Sequence, residues 1–363
     1  MRKPIIGILT WRQGTRFEEP NYLRGLIYEG RRLGATIFLF SHEDILLEEK
    51  KIKGFIPHSA FGWKSAIFPW PDVVIDRCRK GLPGYRALRK QKDLFRYANS
   101  PYTNKWSATQ LFSQEESLSK WIPKTVEYTT ENLRDMLTQY PILYIKPGNG
   151  TGGRSIMRLT RLKDGIHFLG RSRNLATKSA TFHNYAGLVA AVQQWASKEK
   201  IRNGNFMIQQ GLNLELIPHR VADVRLLIQK NQRGEWEITG AGVRVGPKHS
   251  PTSNLHNGGK PIPFKKLIFA RFGKEKGKEI QKECQLLAFH VVEIIEEHFG
   301  NMMEFGLDIG VDVDGNVWLI EVNPKPGREI FKELGLSNVY RKSIQRPVQY
   351  AIHLAQDPTY TPI

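Results

Sequence analysis

Apolar and polar positions at the start of the chain predict a strand–helix–strand unit. Residues 4–10 and 35–40 are short apolar runs typical of buried strands, and residues 21–33 between them repeat apolar side chains at helical spacing. Residues 71–76 form one more apolar run. Strands that are apolar on both faces, joined through a helix, favour a small parallel sheet covered by helices. We therefore expect residues 1–104 to form an N-terminal α/β domain.

The pattern changes near residues 99–102, a polar, proline-containing link. Beyond it the periodicity predicts helices over residues 105–113, 131–140 and 275–298 and a strand over residues 142–146, with strands and hairpins dominating from residue 202. These changes predict three domains, over residues 1–104, 105–201 and 202–363.

The most informative stretch is an apolar alternation on both sides of Asp314-Gly315. This dipeptide is a strong signal for a two-residue hairpin turn. With such a turn, Asp308 lies directly opposite Glu321. Because side chains alternate faces along a strand, Asn323 points the same way as Glu321. The spacing therefore predicts Asp308, Glu321 and Asn323 on one face.

Two acids directly opposite each other destabilise a strand pair unless something compensates their charge. A hard divalent cation does so, and Mg²⁺ (or Mn²⁺) accepts one or two carboxylates together with water and nucleotide phosphates. Asp308, Glu321 and Asn323 are thus predicted metal ligands. The alternative is a pair of solvent-facing acids on an edge hairpin. Asp312 and Asp314, near the turn, are expected to be structural or solvated.

A glycine-rich segment follows the strand that ends at Lys146. Its candidate anion-binding residues are Gly150, Thr151, Gly152 and Gly153. Glycines let backbone N–H groups converge on a phosphate. A strand, over residues 156–159, follows the segment, so it is neither a Walker loop nor a dinucleotide fingerprint. The alternative is a flexible hairpin tip.

Charge is the unusual feature of the composition. Lysine and arginine number 54 against 35 acids, a net charge of +19. The basic residues concentrate in residues 77–92 and 260–282. Such a surface attracts polyanions, although charge runs also occur as ordinary solvated faces. An acidic peptide or polymer is one expected substrate class.

The remaining composition predicts a soluble intracellular protein. Two cysteines, Cys78 and Cys284, cannot form a disulfide framework, and 40% of residues are hydrophobic. No apolar run reaches the length of a transmembrane helix, and the N-terminus does not read as a signal peptide.

Taken in order, several motifs resemble the ATP-grasp superfamily. They are Lys105, Lys146-Pro147 with its glycine loop, the segment 208–215 and the Asp308/Glu321/Asn323-Pro324 hairpin. The segments 104–106, 223–225, 236–244, 254–259 and 318–327 are similar, more closely, to the YheC/YheD endospore coat-associated branch. The resemblance covers residues 100–330 and implies an α/β (α+β) fold in which two subdomains clamp ATP behind the small N-terminal domain.

The resemblance also implies roles for individual residues. Lys105 and Lys146 would hold the α- and β-phosphates, and residues 148–155 would close over the γ-phosphate. The backbone of Gln210, Gly211 and Leu212 would receive adenine, and Glu215 the ribose hydroxyls. The glutamine-rich hinge departs from the more usual Glu-x-x-Leu pattern, which leaves the ribose ligand open. Arg225, Arg244 and Asn254 would line the reacting end, and Arg77 would point toward the cleft.

The implied activity is an ATP- and Mg²⁺-dependent, ADP-forming ligase that joins a carboxylate to an amine through an acyl-phosphate. Cationic side chains suit that chemistry, since charge develops on the transferred phosphoryl group. Two alternatives stay open: a non-catalytic, nucleotide-binding adaptor of the endospore coat, and nucleic-acid binding, which only the charge motivates and no motif supports. The resemblance places the protein in the mother cell or forespore cytoplasm, or with coat proteins.

Overall fold

The chain forms three main β-sheets that follow one another in the sequence. The computed structural model describes residues 2–59, 62–91, 93–102, 105–148, 154–174, 176–199, 206–248, 250, 253, 255 and 258–357, with the side chain of Lys105 left out. The predicted helices and strands are confirmed, and only their ends differ by a few residues.

The first unit combines short strands with two α-helices in its described residues. They are β1 (Ile5–Leu9), β2 (Arg12–Gln13), β3 (Arg16–Phe17), α1 (Pro20–Arg32), β4 (Thr36–Phe40), β5 (Ile45–Leu46), β6 (Lys51–Pro57), β7 (Trp63–Pro69), β8 (Val73–Asp76) and α2 (Pro83–Lys90). Strand β1 runs parallel to β4 on one side and to β8 on the other. Strands β2 and β3 form a small separate hairpin.

The first sheet is mixed rather than wholly parallel. Strands β5, β6 and β7 extend it beyond β4 and pair antiparallel. A parallel return needs a crossover, usually a helix, whereas the chain between β4 and β6 contains only a one-turn 3₁₀ helix, His42–Asp44, and the short β5. The chain therefore turns back on itself and pairs antiparallel.

The second unit is antiparallel. Its elements are α3 (Lys105–Gln114), a 3₁₀ helix (Glu116–Trp121), β9 (Thr125–Glu127), α4 (Thr130–Gln139), β10 (Ile142–Pro147), β11 (Ile156–Leu162), β12 (Gly165–Arg171), β13 (Thr177–Phe182), α5 (Tyr185–Lys198) and β14 (Phe206–Gln210). Its strand order is β13-β12-β11-β10-β14-β9. Side chains cap the N-termini of α4 and α5. Thr129 accepts from the N–H of Asn132 in α4, and Asn184 accepts from the N–H of Gly187 in α5. Strand β14 belongs to this sheet, so the sheet extends to Gln210, beyond the predicted domain boundary at residue 201.

The third unit is a five-stranded antiparallel sheet with two covering helices. Its elements are β15 (Ala222–Lys230), β16 (Trp236–Val245), β17 (Lys260–Pro263), α6 (Phe264–Phe272), α7 (Lys274–Phe299), β18 (Glu304–Val311) and β19 (Val317–Asn323), followed by α8 (Glu329–Glu333) and α9 (Ser337–Gln356). The strand order is β17-β16-β15-β18-β19. Helix α7 buries Ile280, Cys284, Leu287 and Val291 against the sheet, a spacing that keeps one helical face apolar.

The last helix returns to the beginning of the chain. Val348, Tyr350 and Leu354 of α9 share one core with Leu26 and Ile27 of α1. The predicted third domain therefore contributes to the core of the first, and the two are held together by packing.

Buried charges join the same two units. The Glu304 carboxylate, at the start of β18, accepts from Arg77 of the first unit at 3.3 Å and from Arg328. Tyr22 lies against both guanidinium groups. Removing one partner of a buried pair leaves an uncompensated charge, so this cluster fixes how the first sheet sits against β18.

Candidate active site

A cleft lies where the second and third sheets face each other. One wall comes from β10, β11 and β14 and the other from β15, β16, β18 and β19. The polar residues that line it include Tyr144, Lys146, Arg154, Gln209, Gln210, Asp223, Arg244, Ser253, Asp308 and Glu321. Ala108, Phe112, Ile122, Met207, Leu212 and Leu214 make an apolar part. A concave site with apolar walls and a few convergent polar groups is the usual form of a ligand pocket.

The predicted hairpin is present, and Asp308 pairs directly with Glu321 as the spacing predicts. The predicted two-residue turn is wrong. Asp312 pairs with Asn316 through its N–H, so the loop has one more residue and ends on Gly315 at φ 86°. This is the common three-residue hairpin, whose last loop position requires a left-handed residue.

A β-bulge restores the register. Ile309 faces Leu319 and Asp308 faces Glu321, which leaves Ile320 unopposed. The bulge also changes which side chains pack in the core, since Val317 and Leu319 do so before it and Val322 after it, and Glu321 lines the cleft. Asn323 pairs with Gly306 at the base of the hairpin and is partly buried.

Asp312 has the structural role expected of it. Its carboxylate accepts from the N–H groups of Asp314 and Asn316 and from the indole N–H of Trp318 at 2.9–3.0 Å. Asp314 is exposed. Asp312 therefore stabilises the turn and is not available to a ligand.

Charged side chains run across four neighbouring strands of the third sheet. Arg244 on β16 pairs opposite Asp223 on β15, and two residues along β15, Arg225 pairs opposite Asp308 on β18. Asp308 in turn faces Glu321 on β19. We call these five residues the charged row. Opposite charges on directly opposed strand positions stabilise a sheet, so the row is compensated by its own arginines.

Distances within the charged row show which pairs are tight. The Arg225 Nε donates to Asp308 Oδ1 at 2.6 Å, and the Arg244 Nη2 lies 3.0 Å from Asp308 Oδ2. Arg244 also makes a two-pronged contact with Asp223, at 2.7 and 2.5 Å. Arg244 and Asp308 are both buried. Burial alone would raise the pKa of Asp308, but the charges of the two arginines lower it to about 2.

On the opposite wall, a hydrogen-bonded chain holds Lys146. The Nζ of Lys146 donates to Gln209 Oε1 at 2.7 Å, and Gln209 Nε2 donates to Thr125 Oγ1 at 2.9 Å. Lys146 and Gln209 lie on the adjacent strands β10 and β14, and both line the cleft. The ammonium group is therefore held at a fixed place on the cleft wall.

The predicted adenine hinge follows β14. The N–H of Gln210 donates to Lys124 O, and the N–H of Gly211 donates to Ile142 O at 2.7 Å. A Cβ on Gly211 would lie 2.2 Å from Ile142 Cγ2, so only glycine fits this close approach. Leu212 lines the cleft. The hinge backbone is thereby fixed at the cleft edge.

Two residues implied by the resemblance are engaged elsewhere. Glu215 lies 3.3 Å from Arg158 Nη1, outside the residues that line the cleft. Arg77 does not point toward the cleft: its guanidinium is buried, with Glu19 at 3.1 Å and Glu304 at 3.3 Å. That side chain is used to join the first and third units.

Several predicted site residues lie outside the described part of the chain. They are the side chain of Lys105 and residues Gly150, Thr151, Gly152, Gly153 and Asn254. Their roles stay predictions. The described residues on either side of the glycine segment, Pro147 and Arg154, line the cleft.

The sequence assigns no role to the side chains of Asp223 and Gln209, which line the cleft, and includes Arg154 only as part of the segment 148–155. The pattern Asp223-Val224-Arg225 within an otherwise apolar strand was a usable signal, because two charges two residues apart share one face. Gln209 had no comparable signal, since its contact with Lys146 depends on strand pairing.

The donor set at Asp308 fits a hard cation. Asp308, Glu321 and the amide of Asn323 supply oxygen, the ligand atom that Mg²⁺ prefers. Among the described residues, no group of three or more His, Cys, Asp or Glu side chains could hold a metal ion. A cation here would therefore complete its shell with water and ligand phosphates, which is usual for Mg²⁺. A carboxylate has about four lone-pair sites, so the contacts of Asp308 with arginine do not exclude a cation.

Comparison with known structures agrees with this architecture. D-alanyl-alanine synthetase A from Vibrio cholerae matches at TM-score 0.53 and 12% identity, over 97% of this chain and 99% of that one. The D-alanine-D-alanine ligase from Coxiella burnetii matches at TM-score 0.51 and 12% identity, over 96% of both chains. At such identities the likeness shows the fold, which is the ATP-grasp α+β fold.

Comparison with curated sequences gives nearer relatives. The endospore coat-associated protein YheD of Bacillus subtilis is 28% identical over 99% of this chain and 80% of its own length. The endospore coat-associated protein YheC of the same organism is 26% identical over 87% of each chain. Among the described residues, no helix is long and apolar enough to span a bilayer. The family described as YheC/D like ATP-grasp matches residues 94–354, and the chain belongs to that family.

Proposed function

We propose that the protein is an ATP- and Mg²⁺-dependent ligase that activates a carboxylate as an acyl-phosphate and joins it to an amine, releasing ADP and phosphate. The observation that carries this proposal is that four members of the charged row, Asp223, Arg244, Asp308 and Glu321, line the same cleft as Lys146. Phosphoryl transfer is catalysed mainly by positioning and by compensating negative charge, and this cleft offers cations for both.

The reaction has two steps that balance without an oxidant. A substrate carboxylate oxygen attacks the γ-phosphorus, the bond to the β,γ-bridging oxygen breaks, and ADP leaves. An amine then attacks the acyl carbon, loses a proton, and inorganic phosphate departs as an amide forms. Both steps place negative charge on oxygens, where a guanidinium fork binds well.

Each side chain has a proposed part in these steps. Lys146, held by Gln209, contacts the nucleotide phosphates. Arg244, which lines the cleft, compensates the transferred phosphoryl group and the tetrahedral oxyanion together with Arg225, which contacts Asp308 and is not among the residues that line the cleft. Asp308, Glu321 and Asn323 would hold Mg²⁺, which when bound neutralises phosphate charge. By resemblance, Lys105 and residues 150–153 bind phosphates, Gln210 to Leu212 bind adenine, and Asn254 contacts substrate. Glu215, the residue that the resemblance gives for ribose, contacts Arg158 outside the cleft lining, so it would have to leave that contact to bind ribose.

The testing experiment is a nucleotide-consumption screen. The purified protein, Mg·ATP and pairs of amino acids, short peptides and amines are incubated, and ADP is measured separately from AMP. We expect ADP and phosphate release that requires both a carboxylate and an amine. Asp308→Asn combined with Glu321→Gln should remove it, whereas Asp314→Asn, which changes an exposed acid of the same hairpin, should keep it. No Mg·ATP binding, with no effect of the double variant, contradicts the proposal.

A second candidate is a nucleotide-binding protein of the endospore coat that does not turn over. The names of the relatives YheD and YheC favour it, since both are called endospore coat-associated proteins. The same screen separates the candidates: tight Mg·ATP binding without ADP release, together with retention in a purified coat fraction, supports this one. Steady ADP release excludes it.

A further inference from the structure

The two basic runs of the sequence, residues 77–92 and 260–282, differ in how many of their cations form ion pairs with acids. In the first, four of the six cations within the described residues pair with acids of the same unit. Arg77 and Arg79 contact Glu19, Lys80 contacts Glu18 at 2.7 Å, and Arg89 contacts Asp76 at 2.7 Å. Within the described residues, this run keeps two exposed cations without an ion pair, Arg86 and Lys90, against six in the second run.

The second run lies on α6, the first turns of α7 and the start of β17. Its eight cations are Lys260, Lys265, Lys266, Arg271, Lys274, Lys276, Lys278 and Lys282, all exposed. Two of them meet acids of the same helix, Lys276 with Glu279 at 3.2 Å and Lys278 with Glu275 at 3.0 Å. The other six make no ion pair with an acid anywhere in the described chain. We call this surface the basic helix pair.

The basic helix pair is one continuous surface. Helices α6 and α7 meet at Gly273 and pack closely, since a Cβ on Gly277 would lie 2.4 Å from a Phe269 ring carbon. Lys274, Lys278 and Lys282 follow one another every fourth residue on α7, so they share a helix face at steps of about 6 Å. Their ammonium groups form a short line.

Folding does not account for this charge. Cations in the first turns of a helix oppose its dipole, and like charges four residues apart repel. Both effects cost stability in the isolated chain. The negative charge of a polyanionic partner would compensate both destabilising effects.

The aromatic side chains of this region face the protein interior. Phe264 is buried, and Phe269 and Phe272 pack against the core of the third unit. Surfaces that bind single-stranded nucleic acid combine positive charge with exposed aromatic rings for base stacking. The basic helix pair has the positive charge but not the exposed rings. Alternate residues of an extended peptide are spaced about 6.7 Å apart, close to the step between the lysines. Carboxylates on an extended acidic peptide match this line.

We propose that the basic helix pair binds an acidic segment of another polypeptide. The surface lies behind the tip of the hairpin: Gly315 packs against Lys276 and Ile280, whereas Asp308 and Glu321 lie toward the other end of the same hairpin. The peptide therefore docks away from the cleft, and the proposal does not depend on ligase activity.

Fluorescence anisotropy with a labelled poly-glutamate of about 20 residues tests the proposal, at about 50 and 200 mM salt. The test variant carries Lys265→Gln, Lys266→Gln, Lys274→Gln and Lys282→Gln. The matched control carries Lys53→Gln, Lys64→Gln, Lys90→Gln and Lys163→Gln, four exposed lysines elsewhere. Both variants lose four charges, so only the location differs. We expect the test variant to weaken binding at least about tenfold and to flatten its salt dependence, and the control to change it less than about twofold.

Three results would overturn the proposal. Equal weakening by both variants would show a response to net charge alone. No binding of poly-glutamate at low salt would show that the surface does not accept carboxylates. Tighter binding of a single-stranded oligonucleotide or of phosphatidylserine vesicles than of poly-glutamate, lost in the test variant, would assign the surface to another class of polyanion.

Discussion

Asp308 lies directly opposite Glu321 on the hairpin of β18 and β19, with Ile320 bulged out beside them. The longer turn shifts the register by one residue, and the bulge shifts it back. The two acids therefore meet although the turn is not the predicted one. The cleft side of the hairpin depends on this compensation, because a one-residue slip would turn every side chain to the other face.

The two acids should differ in their effect on stability. Asp308 is buried and contacts two arginines, whereas Glu321 is only partly buried. Asp308→Asn leaves buried guanidinium charge uncompensated and should lower the free energy of unfolding by about 3 kcal/mol. Glu321→Gln should lower it by less than about 1 kcal/mol. Urea unfolding followed by circular dichroism measures both, and equal losses would contradict the role of the arginines.

Asp223 should position Arg244 for catalysis. Asp223→Asn removes the charge that holds the Arg244 guanidinium at 2.5–2.7 Å. In the proposed ligase reaction, turnover should fall at least about tenfold while the dissociation constant for Mg·ATP changes less than about threefold. Nucleotide titration calorimetry and steady-state kinetics measure the two effects.

A surface pair serves as the control for that experiment. Glu235→Gln breaks an ion pair of similar length, 2.6 Å to Arg233, on an exposed turn. It should change neither quantity, because exposed pairs contribute little. If Asp223→Asn weakens nucleotide binding and turnover equally, Asp223 is a structural residue and not a positioning one.

Gln209 should set the affinity for nucleotide through Lys146. Gln209→Leu removes an acceptor of the lysine ammonium and the amide that donates to Thr125 Oγ1, while Thr125 keeps its bond to Pro123 O. We expect the dissociation constant for Mg·ATP to rise about fivefold to tenfold, since the ammonium loses its fixed position. Gln209→Glu keeps an acceptor for Lys146 and should retain most of the affinity.

The same measurement includes a distant glutamine. Gln285→Leu on α7 should bind Mg·ATP as the unmodified protein does, since Gln285 is not among the residues that line the cleft. A Gln209→Leu protein with unchanged affinity would show that Lys146 does not contact the nucleotide or does not need this support.

Lys325 gives the stability a pH dependence. Burial lowers its pKa from 10.5 to about 8, although Asp76 at 2.8 Å opposes the shift. Between these two values the unfolded chain keeps a proton that the folded protein has lost, so stability rises with pH. The unfolding free energy of the natural protein relative to Lys325→Met should increase by up to about 1.4 kcal/mol per pH unit from pH 8 to 10. Unfolding at a series of pH values measures it.

An exposed lysine separates this effect from general titration. The unfolding free energy of the natural protein relative to Lys276→Met should stay constant over the same range, since that side chain is exposed on α7. A constant difference for Lys325→Met as well would show that Lys325 titrates normally.

Local pattern determined much of the architecture. Helices α1, α3, α4 and α7 follow from apolar spacing, because an amphipathic helix must bury one face. Strand β10, the glycine-rich connection and β11 were likewise readable, as was the Asp-Gly hairpin. These features depend on residues that are close in sequence, and the periodicity of apolar positions is a property of such residues.

Tertiary structure decided which charges meet. The sequence placed Asp308 and Glu321 together, but it could not show that Arg225 and Arg244 compensate Asp308, or that Arg77 is used by Glu304 instead of the cleft. It also did not distinguish the two basic runs, whereas the fold pairs most of the described cations of the first run with acids and leaves most of those of the second run exposed without an ion pair. The physical reason is that an ion pair depends on distance in space, and residues far apart in the chain are brought within that distance only by sheet order and register.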